Sequence, residues 1–420
     1  MPPSSSTFGP LLSIPDDSLF RLAAAVRLGE LNNYTCPSSV PEYRYVRQHY
    51  GSFSVVYIVR LNRAFRAVIR IPVTGWGDGW TPVAVRAMES QVATLRLLKL
   101  HTEIPIPEVY SYDTTINNAI GAPYICMSFI PGRDLGDVWF DPDLPTPLEE
   151  RRVRAMKAIA RSCAELAELG SFPKIGSLFM DGQEATVGPC YHWSSEGNNK
   201  WRVVESGPYD TAHAYFKDHY VPSSSEDTEN WGNAKERVIR QTVLPLFPSG
   251  RSSGGFVLSH PDLDRQNIKL NDDGSLSGII DWDLAHTQPP CVGYCKYPFF
   301  ITRDWYEPNR SPEQDLRDEV DTNSPRELQR FRMQYNHAMG QAMNGADGCE
   351  FTKKSHIWEA FMRASASYMC HWPVVCIKLL QEATHLDNFQ DATSLLSNIG
   401  WGGADWQMIK GQLEDYLARD

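Results

Sequence analysis

An α+β fold in two lobes is predicted for residues 43–420, a small antiparallel-sheet lobe with one long helix and then a larger, mainly helical lobe. Three observations predict it. The β-branched runs "SVVYIVRLN" and "FRAVIRIP", parted by the polar turn "NRA", read as a hairpin. The stretch "PVAVRAMESQVATLRLLKLH" has helical length and helical period. Beyond "PGRDLGDVW" most apolar positions recur at helical spacing to the end of the chain.

Taken in order, residues 1–42 form an N-terminal extension: 1–13 are Ser/Pro-rich and expected to be mobile, and "PDDSLFRLAAAVRLGELNN" reads as a short helix capped by its carboxylates. Residues 43–130 make the first lobe. After the hairpin, "VTGWGDGWTP" is a glycine-rich loop, the long helix follows, and "IPIPEVYSYD" and "PYICMSFIPG" are two further strands. Residues 131–420 make the helical lobe. It opens with "TPLEERRVRAMKAIARSCAELAEL", which carries a capping-box start. The polar, Gly-rich residues 183–207 are expected to be irregular, and two helices follow around a Ser- and Asp-rich loop. A short strand at Phe256–Ser259, a loop and two small strands bracketing the turn "NDDG" come next, and from about 311 the chain is helical.

Composition narrows the function. Hydrophobic residues are 42% and charged residues 22% of the 420, an ordinary soluble pattern. A formal net charge of -11 argues against a nucleic-acid surface, because phosphate backbones need a basic footprint, and favours a cationic organic substrate. The nine cysteines include no C-x-x-C pair, so they read as reduced thiols in a reducing, cytoplasmic compartment. The N-terminus has no signal-peptide pattern, and no run of about 18 apolar residues suggests a membrane span.

Chemistry concentrates in "LSHPDLDRQNIKLNDDGSLSGIIDWDLAHTQPP", residues 258–290. His260, Asp262 and Asn267 stand as H-x-D-x-x-x-x-N, and Asp281 follows in "IIDWD" at the end of an apolar strand. Phosphoryl transfer from a nucleotide needs these residue types: one carboxylate to orient an acceptor hydroxyl and take its proton, and a carboxylate with an amide oxygen to hold Mg²⁺ against the phosphates. Asp262 is then the base, and Asn267 with Asp281 the metal ligands. Asp272 and Asp273 belong to a turn without chemistry.

With these motifs the chain resembles the aminoglycoside phosphotransferase/choline kinase-like family, and most closely its fungal phosphotransferase members, a branch of the protein-kinase-like fold. "TEIPIPEVYSYD" is similar to the family's signature after its first long helix, "GAPYICMSFIPGRDL" to its lobe-connecting strand and linker, and "GIIDWDLAHTQPP" to its metal-binding strand. The resemblance covers roughly 45–300. It implies ATP and Mg²⁺ as cofactors, with "HYGSFSVVYIV" in place of the glycine-rich phosphate loop, of which only Gly51 is a glycine. It puts Arg70 where a phosphate-binding lysine usually stands, a role a permanently charged fork can fill; a solvent-facing strand residue is the alternative. The long helix should offer that cation a glutamate, but Gln91 stands there. Glu89 lies about 200° away around the helix, whereas Gln91 shares the stripe of Met88, Leu95 and Leu98, so Gln91 is expected to face Arg70. Met127 and Phe129 belong to the linker that would touch adenine, with Ile125 and Ile69 as either its neighbours or ordinary core. The family's histidine implies a bracing role for His260. Asp283 is expected behind the metal site, and Asp264 and Arg265 either touch phosphate or acceptor or face water.

No long activation segment follows Asp281, so a small-molecule hydroxyl acceptor is expected rather than a protein. His371, Trp372, Trp358, Trp401 and Trp406 suggest an amine-bearing acceptor through cation–π contacts, or simply helix packing. Two rival readings stand beside the kinase: a nucleotide-binding pseudokinase scaffold, and an enzyme using this fold for a different group transfer. Oligomeric state leaves no trace in the sequence, and neither a nucleic acid nor a membrane is expected as a partner.

Overall fold

The computed structural model describes residues 5–29, 45–197, 200–219, 229–248, 255–306, 322–345, 347–366 and 372–418. Two compact units emerge: Met1–Gly132 with Gly176–Pro208 and Ser277–His286, and Arg133–Ile175 with Tyr209–Leu276 and Thr287–Asp420.

The first unit is built on a sheet in the order β1-β2-β3-β5-β4, all pairs antiparallel, from β1 (Tyr45–Tyr50), β2 (Ser54–Arg60), β3 (Arg66–Pro72), β4 (Val109–Asp113) and β5 (Tyr124–Ser128). Alternation along β3 splits its side chains between two faces, as the two-residue period of a strand requires. Ala67, Ile69 and Ile71 are fully buried against Leu19 and Leu22 of helix α1 (Asp16–Leu28). Each such burial stabilises by about 2 kcal/mol relative to exposure. On the other face Val68 packs with Met88, Val92, Ile125 and Met127, which brings up helix α2 (Pro82–His101). Thr81 caps α2 by accepting from the Ala84 N–H, and Pro82 fills the first turn where no donor is needed.

Four sequence expectations are corrected here. Residues in 1–13 are packed: Phe8 and Leu11 join the sheet core, and the Tyr57 hydroxyl donates to the Leu11 carbonyl at 2.5 Å. The described part of the extension, residues 5–29, therefore packs on the sheet of the first unit. Residues 183–207 are not irregular but carry most of two hairpins, β6 (Leu178–Asp181) with β7 (Glu184–Val187) and β8 (Cys190–Ser195) with β9 (Trp201–Ser206). They belong to the first unit rather than the helical one, because Tyr191 and Val203 pack on Ala84 and Ala87 of α2. Residues 277–286 join it too, through the Ile279 N–H bonded to the Pro105 carbonyl at 2.9 Å. Helix α3 (Leu148–Ala164) starts without the expected capping box, since Pro147 occupies the cap position and has no side-chain acceptor.

The second unit is mainly helical, with α4 (Ala212–His219), α5 (Glu229–Lys235), α6 (Pro325–Ala342), α7 (Ser355–Ala366), α8 (Trp372–Thr384), α9 (Phe389–Trp401) and α10 (Trp406–Ala418); α3 packs on α6, and α9 on α5 and α8. Among the described residues no helix is long and apolar enough to cross a membrane. Six described cysteines are free thiols, all buried.

Candidate active site

In the first unit, Arg70 points from β3 toward the carboxylates that follow the strand Leu276–Ile279. Its Nη2 donates to Asp281 Oδ1 at 3.0 Å, and its Nη1 pairs with Asp283. The guanidinium is 13% exposed and Asp283 16%, whereas Asp281 is 41% exposed. Arg70 is thus not a solvent-facing strand residue. Asp281 takes a left-handed φ of 65°, a conformation disfavoured for any side chain, which turns the chain sharply as it leaves the strand.

Gln91 is turned to the Arg70 side of the helix and meets that cation through a shared carboxylate. Its Nε2 donates to Asp283 Oδ1, the same oxygen that pairs with Arg70. Asp283 therefore carries the counter-charge that the helix lacks, and the neutral amide supports that carboxylate. Glu89 interacts instead with Arg86 and Tyr191. The hollow around this triad is lined by Trp80, Met88 and Trp193 as well.

Gly51 lies in the turn joining β1 and β2, where its N–H donates to the Ser54 carbonyl at 2.9 Å. Two residues on, Phe53 is held by rings the sequence reading missed: it stacks on Trp193 at 4.6 Å and meets Trp201 edge-on at 4.9 Å. Met127 is buried within β5, while Phe129 lies beneath the Arg66 guanidinium at 5.1 Å. Ile69 belongs to the core on the opposite face from Arg70.

In the second unit, Val257–Ser259 leads into a loop held by its own polar groups. His260 is buried, and its Nδ1 accepts the Asp262 N–H at 3.1 Å, which sets the imidazole as a brace with Nδ1 unprotonated. Asn267 Nδ2 donates to the Asp262 carbonyl at 2.8 Å and to its Oδ2 at 3.1 Å, and Gln266 adds a second donor to Oδ2 at 3.1 Å. These bonds fix the Asp262 carboxylate, 44% exposed, as the acceptor group of the loop. Asp264 does not face water. It is buried and receives Arg303 at 2.7 Å; burial pushes its carboxyl above the usual range while Arg303 and the Arg265 N–H pull it back. The Arg265 side chain lies against Gly136. The turn 271–274 closes on Gly274, whose φ of 83° suits glycine, with Asp273 bound to Arg154 at 2.7 Å.

Fitness for Mg²⁺ is a matter of donor chemistry. Among the described residues no group of three or more His, Cys, Asp or Glu side chains converges as a protein-only metal cage. Asp281 in the first unit keeps Oδ2, and Asn267 in the second keeps Oδ1, outside the bonds described; each is by itself a hard oxygen donor of the kind Mg²⁺ prefers.

The tryptophans read as an acceptor cage separate. Trp358 and Trp372 are core residues, packed edge-on against Phe247 and Trp231. Trp401 is 69% exposed and Trp406 partly so, and His371 lies outside the described residues. Helix packing accounts for the buried pair.

A family model described as phosphotransferase enzyme family matches residues 47–294, more than half of the chain and both halves of this constellation. The chain belongs to the phosphotransferase enzyme family. With that membership comes its protein-kinase-like α+β fold. Proteins similar to this chain are named for other things. Altered inheritance of mitochondria protein 9, mitochondrial, from Candida tropicalis is 31% identical over 166 residues, 38% of this chain and 26% of that protein. A subtelomeric hrmA-associated cluster protein of Aspergillus fumigatus is 36% identical over 92 residues, 21% of this chain and 16% of that one. The chain thus spans about a quarter or less of the length of these relatives. Among solved structures, a macrolide 2′-phosphotransferase from Brachybacterium faecium matches with 12% identity and a TM-score of 0.41, over 91% of this chain and 98% of that one.

Proposed function

We propose that this phosphotransferase moves the γ-phosphate of ATP to a hydroxyl group of a small molecule. The observation that carries the reading is the Arg70–Asp281–Asp283 cluster: a fixed cation on β3 joined to the carboxylate at the end of the apolar strand, 211 residues away in sequence. Family membership and the braced Asp262 support it from the other unit.

In this reading Arg70 holds ATP phosphates through its fork. Asn267 and Asp281 would each offer an oxygen to Mg²⁺, which when bound would supply positive charge against the phosphate oxygens. The acceptor hydroxyl oxygen attacks the γ-phosphorus while the bond from that phosphorus to the β,γ-bridging oxygen breaks. ADP leaves with that electron pair, and the hydroxyl proton passes to Asp262, whose carboxylate Asn267 and Gln266 hold in orientation. Gly51, Met127 and Phe129 line the nucleotide, and His260 and Gln91 act through Asp262 and Asp283. The buried free thiols support a reducing compartment, and the cytoplasm is our assignment.

Thermal unfolding with and without Mg²⁺-ATP tests the proposal. The native protein should melt higher with the nucleotide, and Asp281→Ala should lose that shift. A native protein whose melting temperature Mg²⁺-ATP leaves unchanged would refute it.

A further inference from the structure

A cavity of about 230 Å³ opens in the second unit beside Asp262, lined in part by Tyr215, Phe216, Pro261, Lys296, Glu359 and Arg363. Resting on the kinase reading above, we infer that it seats the acceptor and that the acceptor is an uncharged polyhydroxylated molecule of sugar or polyol type.

Position comes first. Arg363 donates from Nη2 to the Pro261 carbonyl at 3.3 Å and stands 3.9 Å from Asp262 Oδ1, so one wall of the cavity adjoins the proposed base. The size suits a molecule below the usual range of pockets for drug-sized ligands.

The polar wall is a buried charge network with one group incomplete. Glu359 is 5% exposed; its Oε1 accepts from Lys296 at 3.0 Å and from Arg363 at 3.3 Å. Its Oε2 is buried with no hydrogen-bond partner. Burial pushes the Glu359 carboxyl up, but Lys296 and Arg363 outweigh that and hold it below the ordinary glutamate value, so it is an acceptor only. A buried carboxylate oxygen in this state calls for a donor; the Tyr306 hydroxyl, also buried without a partner, interacts with the same carboxylate, and a ligand O–H entering the cavity adds a second donor on the Glu359 side.

Charge then selects among donors. Lys296 and Arg363 are balanced by Glu359 and Asp262, two cations against two carboxylates. An ammonium ligand would add a third cation beside two that are fixed, and a carboxylate ligand a third anion, next to Lys296 and Glu359, whose side chains are 9% and 6% exposed. A hydroxyl leaves the balance intact and matches both kinds of wall group, donating to Glu359 and accepting from Lys296. Opposite, the Tyr215 and His219 rings lie 4.3 Å apart and with Phe216 offer apolar faces to the C–H side of a polyol. The same reasoning turns away from the amine-bearing acceptor suggested by the C-terminal tryptophans, two of which lie in the core.

The test measures ADP release with Mg²⁺-ATP against size-matched probes: glucose, ribose, sorbitol and myo-inositol; glucosamine and choline; and glycerate. At least one neutral polyol should stimulate turnover well above the aminated and acidic probes. Glu359→Gln should raise the KM for that polyol at least tenfold while leaving the KM for ATP within twofold. Met362→Trp, which fills the cavity and spares its charges, should do the same and serves if the glutamate variant does not fold. Preference for glucosamine, choline or glycerate would overturn the inference and leave the kinase reading standing. So would a protein that Mg²⁺-ATP stabilises but no polyol stimulates. If Mg²⁺-ATP fails to stabilise the protein, the kinase reading falls by that result alone. Polyol binding is then read by calorimetry, where binding lost in Met362→Trp sustains the cavity assignment and no binding removes it.

Discussion

Asp283→Asn isolates the counter-charge of Arg70. The asparagine keeps the size and an oxygen that accepts from Gln91 and Arg70, so what disappears is the negative charge. Breaking a fully buried ion pair by removing one partner costs about 3–5 kcal/mol, and an exposed pair about 0–1 kcal/mol. Arg70 and Asp283 are 13% and 16% exposed, nearer the first case, but Asp281 remains 3.0 Å from the guanidinium and is 41% exposed. The expected loss is therefore about 2 kcal/mol. Urea unfolding should show it as a lower midpoint with an unchanged slope. Gln91→Glu alone should also destabilise, by about 1 kcal/mol, since it sets a second carboxylate against Asp283. In the Asp283→Asn background the same change returns the charge to the cluster from the helix side and should stabilise. The two substitutions thus have opposite sign in combination. If their effects simply add within about 0.5 kcal/mol, Asp283 is not the counter-charge and the reasoning fails.

Two further outcomes follow from the packing. His356 is partly buried against Tyr297 and Trp305, and burial, with Arg332 and Lys378 adding to it, holds its pKa well below the usual 6.5. The unfolded chain therefore binds the proton more readily, so stability is full above the unfolded pKa and falls as the pH drops below about 6.5, by up to about 1.4 kcal/mol per pH unit; unfolding at pH 7.5, 6.5 and 5.5 should show this slope, and His356→Gln should flatten it. Gly278 admits no side chain, since a Cβ there would come within 2.7 Å of the Pro105 carbonyl oxygen and of Ile130 Cγ2; Gly278→Ala should cost about 1–3 kcal/mol in urea unfolding and weaken the Mg²⁺-ATP melting shift, because the strand that carries Asp281 must move.

How much of this was legible in the sequence depends on how far apart the cooperating residues lie along the chain. Helix α2 was read to its true ends because its signals are local, a threonine cap, a proline in the first turn and an unbroken period. The bracing of Asp262 by His260 and Asn267 is also local, fixed within eight residues; the resemblance implied the histidine's part, whereas Asn267 was expected only as a metal ligand. The hairpins β6–β9 escaped because their strands are short and their turns, around Gly182 and Gly197, look like the glycines of a loop. Trp193 and Trp201 show no purpose in sequence, for the ring they grip, Phe53, lies some 140 residues upstream. The same limit explains Gln91. A helix position without its glutamate looks like a lost function as long as the partner is sought on the helix. The partner of Arg70 is a pair of carboxylates on another element, and charge complementarity does not say from which element a carboxylate will come. A substitution at one member of such a cluster is therefore evidence about the cluster only once its neighbours in space are known. Here those neighbours turn Gln91 from a defect in the cation site into the donor that holds Asp283 in place.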